Sequence, residues 1–228
     1  MYTPKNKKQI YTKGQQETIL KAITSLRLED WEKDYVFVSL LLKQGTRYKE
    51  TLKTRLQDLY LNQENPQWRI PAKHNKCRRE EFIELRHDIA GLLKNFITKY
   101  KHRFQTNKEG ETFIFFPTRS RDNRTGQVLV MNFYYRWYIY LKRAGLNEIS
   151  YKGQRDGELT RNMYKFRIHD FRRTFCNEAR EANPQMDIIE LSRVTRHKSL
   201  DVLNNIYLEI DEGKIRREAM NNMESHYF

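Results

Sequence analysis

The sequence predicts a mainly helical protein with a small antiparallel β-hairpin or sheet. Most of the chain carries apolar residues at the three- and four-residue spacing of a helix that buries one face. Two short runs rich in Trp, Ile and Phe interrupt this pattern on either side of a basic loop. With 228 residues, of which 38% are hydrophobic, the chain is long enough to form one domain with its own core.

The first half of the chain is predicted to be helical apart from the hairpin. Residues 1–15 are polar and rich in lysine, and we expect them to form a flexible arm or the end of a linker before a domain at 16–228. Apolar spacing predicts helices over residues 16–26, 35–42, 47–59 and 87–104. Short strands are predicted at 68–70 and 82–85 around the basic loop 71–79, and an extended segment at 113–116 before a loop at 118–127.

An aromatic helix begins the second half. Asn132 is of a residue type that caps helices, and the helix after it is predicted to run to Lys142, before Gly145. Its large side chains fall on one helical stripe, which favours a role in the core over stacking on bases. The stripe consists of Phe133, Trp137, Tyr140 and Leu141. A polar surface loop is predicted at 147–165, and helices at 169–182, 187–195, 200–210 and 212–223.

The charge balance favours a polyanionic partner. The chain has 43 Lys and Arg against 29 Asp and Glu, a formal net charge of +14. Nucleic acid is the first candidate for such a partner. Cys77 and Cys176 lie far apart, so neither a zinc module nor a disulfide framework is indicated. Because no apolar run approaches the roughly 20 residues that span a bilayer, and no secretory signal begins the chain, we expect a cytoplasmic, DNA-associated protein.

The stretch from His169 to Phe175 carries the most informative pair of polar residues. His169 and Arg172 are three residues apart and share one helix face, while Phe171 and Phe175 lie on another face and anchor the helix. A guanidinium fork matches two phosphate oxygens, and a neighbouring imidazole can donate to a third or move a proton. Alone, such a pair is ordinary surface charge, so its weight depends on the rest of the chain.

Four further residues follow the same theme of phosphate recognition. Arg47 comes after the Gly45-Thr46 break at a predicted helix start, where backbone N–H groups favour an anion. Lys73 lies in the basic hairpin loop. His197 lies in a turn between two predicted helices, and Tyr207 lies within the second of them. Each has an ordinary explanation as a charged, turn or core residue, but their order along the chain is distinctive.

That order of Arg, Lys, His-x-x-Arg, His and Tyr resembles the catalytic domain of the tyrosine recombinase family, the phage integrase and Xer-like proteins. The resemblance covers about residues 16–220. The motifs that carry it are Gly45–Glu50, similar to TGLRxxE; Ala72–Arg78, similar to GKGNKxR; His169–Phe175, close to HxLRHTF; Arg196–Leu200, similar to LGHKS; and Asn205–Leu208, which holds the tyrosine.

The resemblance implies the tyrosine recombinase catalytic-domain fold and an activity on double-stranded DNA. The implied reaction is site-specific strand cleavage and rejoining, in DNA integration or recombination by a phage or mobile element, through a 3′-phosphotyrosyl bond and with no metal or ATP cofactor. A neighbouring protomer is expected to receive the C-terminal segment, so that a tetramer assembles on DNA; the alternative is a C-terminal helix that folds back on its own domain. The implied catalytic residues are Arg47, Lys73, His169, Arg172, His197 and Tyr207, with Glu50 supporting Arg47.

Three features differ from the family pattern. Arg196 stands where the family usually has Gly, and Tyr207 comes ten residues after His197, one more than the commonest spacing. The 15 residues before the domain are too few for the N-terminal helical domain of the family, which indicates either a fragment or a minimal catalytic protein. Tyr164 and Tyr227 are the reserve nucleophiles.

Three other classes of protein fit part of the same pattern. A non-catalytic DNA-binding protein on the recombinase scaffold would use the same basic groove, with an affinity that falls steeply with salt. A metal-dependent nuclease or transposase would need a carboxylate cluster, and His169 beside Asp170 is not enough for one. A type IB topoisomerase would share the tyrosine chemistry, but the hairpin and the turn at His197 resemble the recombinases more.

Overall fold

A computed structural model of the chain describes residues 9–117, 133–155 and 158–203. Contacts between residues divide the chain into two compact units, Met1–Phe175 and Cys176–Phe228. Within the described ranges, no helix is long and apolar enough to cross a membrane. The first unit contains α1 (Lys13–Leu26), α2 (Trp31–Gln44), α3 (Tyr48–Leu52), β1 (Leu59–Tyr60), β2 (Gln67–Ile70), β3 (Glu81–Glu84), α4 (His87–Tyr100), α5 (Phe133–Arg143), β4 (Ile149–Arg155), β5 (Glu158–Tyr164) and the start of α6 (Asp170–Ala182).

The predicted combination of helices with a small antiparallel sheet is confirmed. In the first unit, α1, α2, α4 and α5 bury their apolar faces around a common core. The aromatic stripe predicted for α5 is part of it, since its members are at most 1% exposed. The core also contains residues 114–116, and the ring of Phe116 stacks on Phe96 of α4 at 6.5 Å between centroids. The extended segment predicted at 113–116 forms only at Phe113, which pairs with Arg55, because the chain bends at residues 114 and 115. Burial of these large rings is the main stabilising contribution to the unit.

The flexible arm predicted at residues 1–15 is wrong for residues 9–15, the part of it that the structure describes. Residues 9–15 belong to the folded unit, because Tyr11 is 1% exposed and stacks on Phe166 and Phe171 at 5.0 and 4.8 Å. Helix α1 begins at Lys13 rather than at residue 16. A reciprocal pair of hydrogen bonds between Thr12 and Gln15 satisfies two backbone N–H groups at its start. Because residues 1–15 are otherwise polar, their composition did not indicate that the ring of Tyr11 is buried.

The basic hairpin forms as predicted and has a third strand. Strand β2 lies in the centre, with β1 and β3 antiparallel on its two sides. Trp68 and Ile70 of β2 are buried and Arg69 between them points outward, which is the alternation expected of a half-buried strand. The loop 71–79 joins β2 to β3.

The helix predicted at 47–59 is wrong beyond its first turn and a half. Helix α3 ends at Leu52, and the chain then pairs with a later segment: the backbone N–H of Leu56 donates to Thr112 at 2.8 Å, and Ile114 donates to Thr54 at 3.1 Å. A backbone committed to these long-range bonds cannot continue as a helix. A short 3₁₀ turn at Leu56–Asp58 leads directly into β1.

The surface loop predicted at 147–165 is also wrong. Strands β4 and β5 pair there as an antiparallel hairpin, with Ile149 opposite Tyr164 at one end. The two strands satisfy backbone hydrogen bonds in each other, and their polar sequence lacks the alternation of apolar and polar residues that predicts strands.

The second unit, described through Leu203, holds the rest of α6, then α7 (Ile188–Val194) and α8 (Leu200–Val202). Asp187 caps α7 through a reciprocal pair of bonds with Glu190. These elements agree with the helices predicted at 169–182 and 187–195. For the helix predicted at 200–210, the description covers its first turn only.

Candidate active site

The turn between α2 and α3 positions the first arginine. Helix α2 ends at Gly45, which has a φ of 57° in the left-handed region that favours glycine. Thr46 and Thr51 are fully buried, and their hydroxyl groups lie 2.6 Å apart. The Thr51 hydroxyl also donates to the backbone carbonyl of Arg47 at 3.1 Å. These bonds fix the backbone from which the Arg47 side chain emerges.

Arg47 is held by the carboxylate that the sequence assigned to support it. Its Nη1 lies 2.7 Å from Oε1 of Glu50, and the backbone N–H of Arg47 donates to Oε2 at 3.4 Å. The Glu50 side chain is 2% exposed against 18% for Arg47, so the guanidinium faces outward from a buried anchor. Burial alone would lower the pKa of Arg47, but the charge and hydrogen bond of Glu50 raise it.

Arg172 lies on α6 and is tied to the same turn. Only 2% of the residue is exposed, and its Nη1 donates a hydrogen bond to the carbonyl oxygen of Gly45. Phe175, one turn further along α6, packs on Gly45 so closely that a Cβ added there would lie 2.1 Å from the ring. The two predicted arginines are therefore brought together at one backbone turn.

His169 completes this group in the first unit. It is exposed, next to the buried Ile168 and one residue before α6 begins. Desolvation and surrounding positive charge lower its pKa to about 4, and the charges responsible are, in decreasing order, those of Arg172, Arg173, Lys76 and Arg47. The imidazole is therefore neutral at pH 7 and able to accept a proton, within electrostatic range of both arginines.

Lys73 points to a different partner. Its Nζ lies 2.6 Å from Oε1 of Glu111, which follows the turn at residues 107–110. The Lys73 side chain is 54% exposed, whereas that of Glu111 is 5% exposed. The lysine of this loop whose charge acts on His169 is Lys76. The structure thus brings the loop near the site while Lys73 itself is engaged elsewhere.

His197 lies in the second unit, in the predicted turn between α7 and α8. Its backbone N–H donates to Ser192 at 2.8 Å, and its Nδ1 lies 2.8 Å from Oγ1 of Thr195. The Thr195 hydroxyl donates its own proton to the carbonyl of Leu191 at 2.8 Å, so it accepts from Nδ1. Arg196 adopts a φ of 59°, the conformation that favours the glycine of the family pattern.

Several predicted features lie outside the described residues. They are Tyr207, the reserve nucleophile Tyr227, the loop at 118–127, the helix cap at Asn132 and the helix at 212–223. The other reserve nucleophile, Tyr164, ends β5, and its ring contacts that of Tyr138 in a tilted arrangement with 4.7 Å between centroids. Within the described ranges, no group of three or more His, Cys, Asp or Glu side chains is arranged to hold a metal ion.

Three residues that were not candidates from the sequence contact the predicted ones, two of them in the first unit and one in the second. The carbonyl of Gly45 accepts a hydrogen bond from Arg172, and Glu111 pairs with Lys73, which lies 38 residues earlier in the chain. Thr195 forms a hydrogen bond with the ring of His197. The glycine was visible within a motif, but its bond to α6 was not. For Glu111 the only local signal was a turn with Asn107 and Gly110, which says nothing of its partners.

The fold defined by these elements is that of tyrosine recombinase catalytic domains. XerH site-specific recombinase bound to palindromic difH substrate matches with a TM-score of 0.62 and 17% identity over 92% of this chain and 51% of its own. XerA recombinase matches with a TM-score of 0.60 and 15% identity over 97% of this chain and 65% of its own. The Tn1549 transposon integrase in complex with transposon right end DNA matches with a TM-score of 0.61 and 17% identity over 97% of this chain and 68% of its own.

The phage integrase family model matches residues 9–214, and the chain belongs to that family. It spans about half the length of the XerH chain that it matches. No curated protein matches the sequence. The expected fold and family are therefore confirmed.

Proposed function

We propose that the chain is the catalytic part of a tyrosine recombinase, which cleaves and rejoins double-stranded DNA at specific sites through a 3′-phosphotyrosyl bond. The observation that carries this proposal is the junction of Arg47 and Arg172 at the Gly45 turn, beside a neutral His169. Family membership and the net charge of +14 support DNA as the substrate.

The two arginines would stabilise the transition state at phosphorus. Attack on a phosphodiester adds negative charge to its non-bridging oxygens, and a guanidinium fork meets two such oxygens at once. Arg47 and Arg172 are pre-positioned by Glu50 and by the Gly45 carbonyl, so little reorganisation is needed when the charge develops. His197 would donate a further hydrogen bond to the phosphate.

Tyr207 would be the nucleophile. Its phenol oxygen forms a bond to phosphorus, and the bond from phosphorus to the 5′ oxygen breaks. A phenol with an ordinary pKa near 10 needs help to lose its proton, and the neutral imidazole of His169 would accept it. A lysine of the hairpin loop, Lys73 by its place in the motif, would protonate the departing 5′ oxygen.

The reverse of these steps would rejoin the strands. The phosphotyrosyl bond conserves the energy of the broken linkage, so attack by a new 5′ hydroxyl restores a phosphodiester without ATP. Electrostatic stabilisation by the arginines would replace the role that a metal ion has in other phosphoryl-transfer sites.

A trapping experiment tests the proposed reaction directly. Duplexes of randomised sequence would carry a nick placed so that cleavage releases a short downstream fragment with a free 5′ hydroxyl, and covalent adducts would be recovered and sequenced. We expect adducts with the wild-type chain, attachment at Tyr207 by mass spectrometry of the bound peptide, and none with Y207F. Tight binding without adducts would contradict catalysis and favour the non-catalytic binding protein.

Assembly on DNA is a separate part of the proposal. We propose that the segment 212–228 contacts a neighbouring protomer in a tetramer bound to DNA. Deleting this segment is then expected to weaken recombination between two sites more than binding to one site, as measured by gel shift. An equal loss in both would contradict a role in assembly.

A further inference from the structure

We propose that Glu111 is a positioning residue for Lys73, and that it holds the lysine in a resting place from which DNA releases it. This inference rests on the proposed function, since it concerns the group assigned to protonate the 5′ oxygen. Its physical basis is a difference between the two partners: the carboxylate is fixed and the ammonium is not.

The Glu111 carboxylate is the fixed partner. Its side chain is 5% exposed. Oε1 accepts from Lys73 at 2.6 Å, from Arg55 at 2.6 Å and from Nε2 of His74 at 3.2 Å, while Oε2 accepts from Asn107 at 3.2 Å. Burial alone would raise the pKa of Glu111, but these hydrogen bonds lower it to about 2, so the carboxylate stays ionised.

Arg55 keeps this carboxylate neutralised when the lysine leaves. The Arg55 side chain is 10% exposed and also binds both carboxylate oxygens of Asp58, with Nη2 to Oδ1 at 2.8 Å. An arginine held by two buried carboxylates does not follow Lys73 outward. Departure of Lys73 leaves Glu111 paired with Arg55, and Arg69, whose Nη1 lies 3.7 Å from Oδ1 of Asp58, is a second cation for the two carboxylates. The large cost of an unpaired buried charge therefore does not apply.

Lys73 is the mobile partner. Its side chain is 54% exposed, and an ammonium on a flexible four-carbon stem is readily rehydrated. An ion pair as exposed as that of Lys73 with Glu111 shifts the equilibrium between the held and the released lysine by no more than about fivefold. A phosphodiester bound beside the loop offers competing anionic oxygens, and the leaving 5′ oxygen gains negative charge during cleavage. We therefore expect Lys73 to leave Glu111 only when DNA supplies these competing oxygens.

The loop backbone need not move for this exchange. Asn75 is 4% exposed, and its side chain donates to the carbonyl of Arg79 at 2.8 Å and accepts from the N–H of Cys77 at 2.9 Å. The same loop already lies near the site, because the charge of Lys76 acts on His169. Rotation of the Lys73 side chain on this fixed turn is the motion that the proposal requires.

The first test measures cleavage with saturating protein on a nicked duplex, in a single turnover. E111Q removes the charge that holds Lys73 but keeps the shape, so we expect adducts to form two to five times faster. In a K73A background the same change is expected to have no effect, because the gain acts through Lys73. E80Q is the matched control: Glu80 lies on the same hairpin, 2.7 Å from Arg69, and its loss is expected to leave the rate unchanged.

Two outcomes of this test would overturn the proposal. The first is a rate for E111Q that is equal to or below that of the wild type, and the second is a gain that persists with K73A. E111D provides a second variant if E111Q does not fold. Aspartate keeps the negative charge that pairs with Arg55, but its shorter side chain moves the carboxylate away from Lys73. We expect the same increase in the rate of adduct formation.

The second test needs no cleavage. Trace acetylation of the DNA-free protein, followed by mass spectrometry, would compare the reactivity of Lys73 with that of Lys76. We expect the ratio to rise two- to fivefold in E111Q, because the pair no longer shields the amine. An unchanged ratio would overturn the resting contact. If the wild type forms no adducts, the proposed function fails, and this measurement still decides whether Glu111 holds Lys73.

Discussion

The carbonyl oxygen of Gly45 accepts a hydrogen bond from Nη1 of Arg172, which lies 127 residues later in the chain. The bond joins the turn that carries Arg47 to the helix that carries Arg172. The left-handed conformation of Gly45, with a φ of 57°, directs this carbonyl toward α6, and Phe175 occupies the space where a Cβ would lie. The geometry of the arginine pair therefore depends on a residue with no side chain.

G45A is predicted to damage the site more than the fold. The added Cβ would lie 2.1 Å from Cδ1 of Phe175, so either the ring or the turn must shift, and an L-residue at this φ costs about 1 kcal/mol in addition. We expect adduct formation to fall at least tenfold in the trapping assay. G145A is the control, because Gly145 has a φ of 67° with open space around it and is subject to the backbone cost alone. Equal losses of cleavage in both variants would contradict a role for the Phe175 contact.

The elements that the sequence predicted correctly are those that bury a regular apolar face. The ring stripe of α5 and the alternation at Trp68 and Ile70 are local patterns. Such patterns predict the fold because burial of the apolar face stabilises the same helix or strand that the spacing indicates. The order of the motifs identified the family, and it placed Arg47, His169 and Arg172 among the candidate residues before their proximity was known.

The elements that the sequence missed depend on partners far along the chain. Helix α3 ends early because residues 54–56 pair with 112–114, and nothing within 47–59 indicates that competition. The hairpin of β4 and β5 has polar strands, so it lacked the alternation by which strands are recognised. The pairing of Lys73 with Glu111 is likewise a property of the fold, since either residue alone is an ordinary surface charge.

R172K is predicted to abolish most of the cleavage and to retain DNA binding. Lysine keeps the positive charge but loses the planar fork, which holds the Gly45 carbonyl and in the proposed reaction would also bind the phosphate. Loss of one preorganised donor to a developing oxyanion slows reactions by about 10²- to 10³-fold, and we expect a loss in that range. R173K is the matched control, because Arg173 pairs with Asp170 at 2.9 Å as part of the start of α6. Single-turnover adduct formation and gel-shift affinity separate the two effects.

T195V is predicted to disturb His197 through its tautomer. The Thr195 hydroxyl accepts from Nδ1, which leaves Nε2 without a proton when the ring is neutral, so donation from Nε2 to a phosphate requires the charged ring. Valine cannot accept this bond, and we expect the proton of the neutral ring to shift toward Nε2, as read from the ¹⁵N shifts of the ring. This shift gives Nε2 a proton, but the ring also loses the hydrogen bond that orients it. We expect the loss of orientation to dominate and to slow adduct formation by about 2- to 10-fold, the effect of one lost hydrogen bond. T195S keeps the hydroxyl and is expected to restore both the shifts and the rate.

His169 is predicted to change its pKa when DNA binds. In the DNA-free protein, desolvation and the neighbouring cations hold the pKa at about 4. A phosphate placed between Arg47 and Arg172 would neutralise part of that charge, so the charged imidazole becomes less unfavourable and the pKa rises toward its ordinary value of about 6.5. The measurement is an NMR titration of the ring in Y207F with and without a short duplex, with H169N to assign the signal. An unshifted pKa in the presence of DNA would contradict a phosphate site between the two arginines.

The depressed pKa of His169 also predicts how stability depends on pH in the absence of DNA. The imidazole takes up its proton in the unfolded chain at a higher pH than in the folded one, so the free energy of unfolding decreases as the pH falls from about 6.5 toward 4. This decrease is expected to be smaller in H169N.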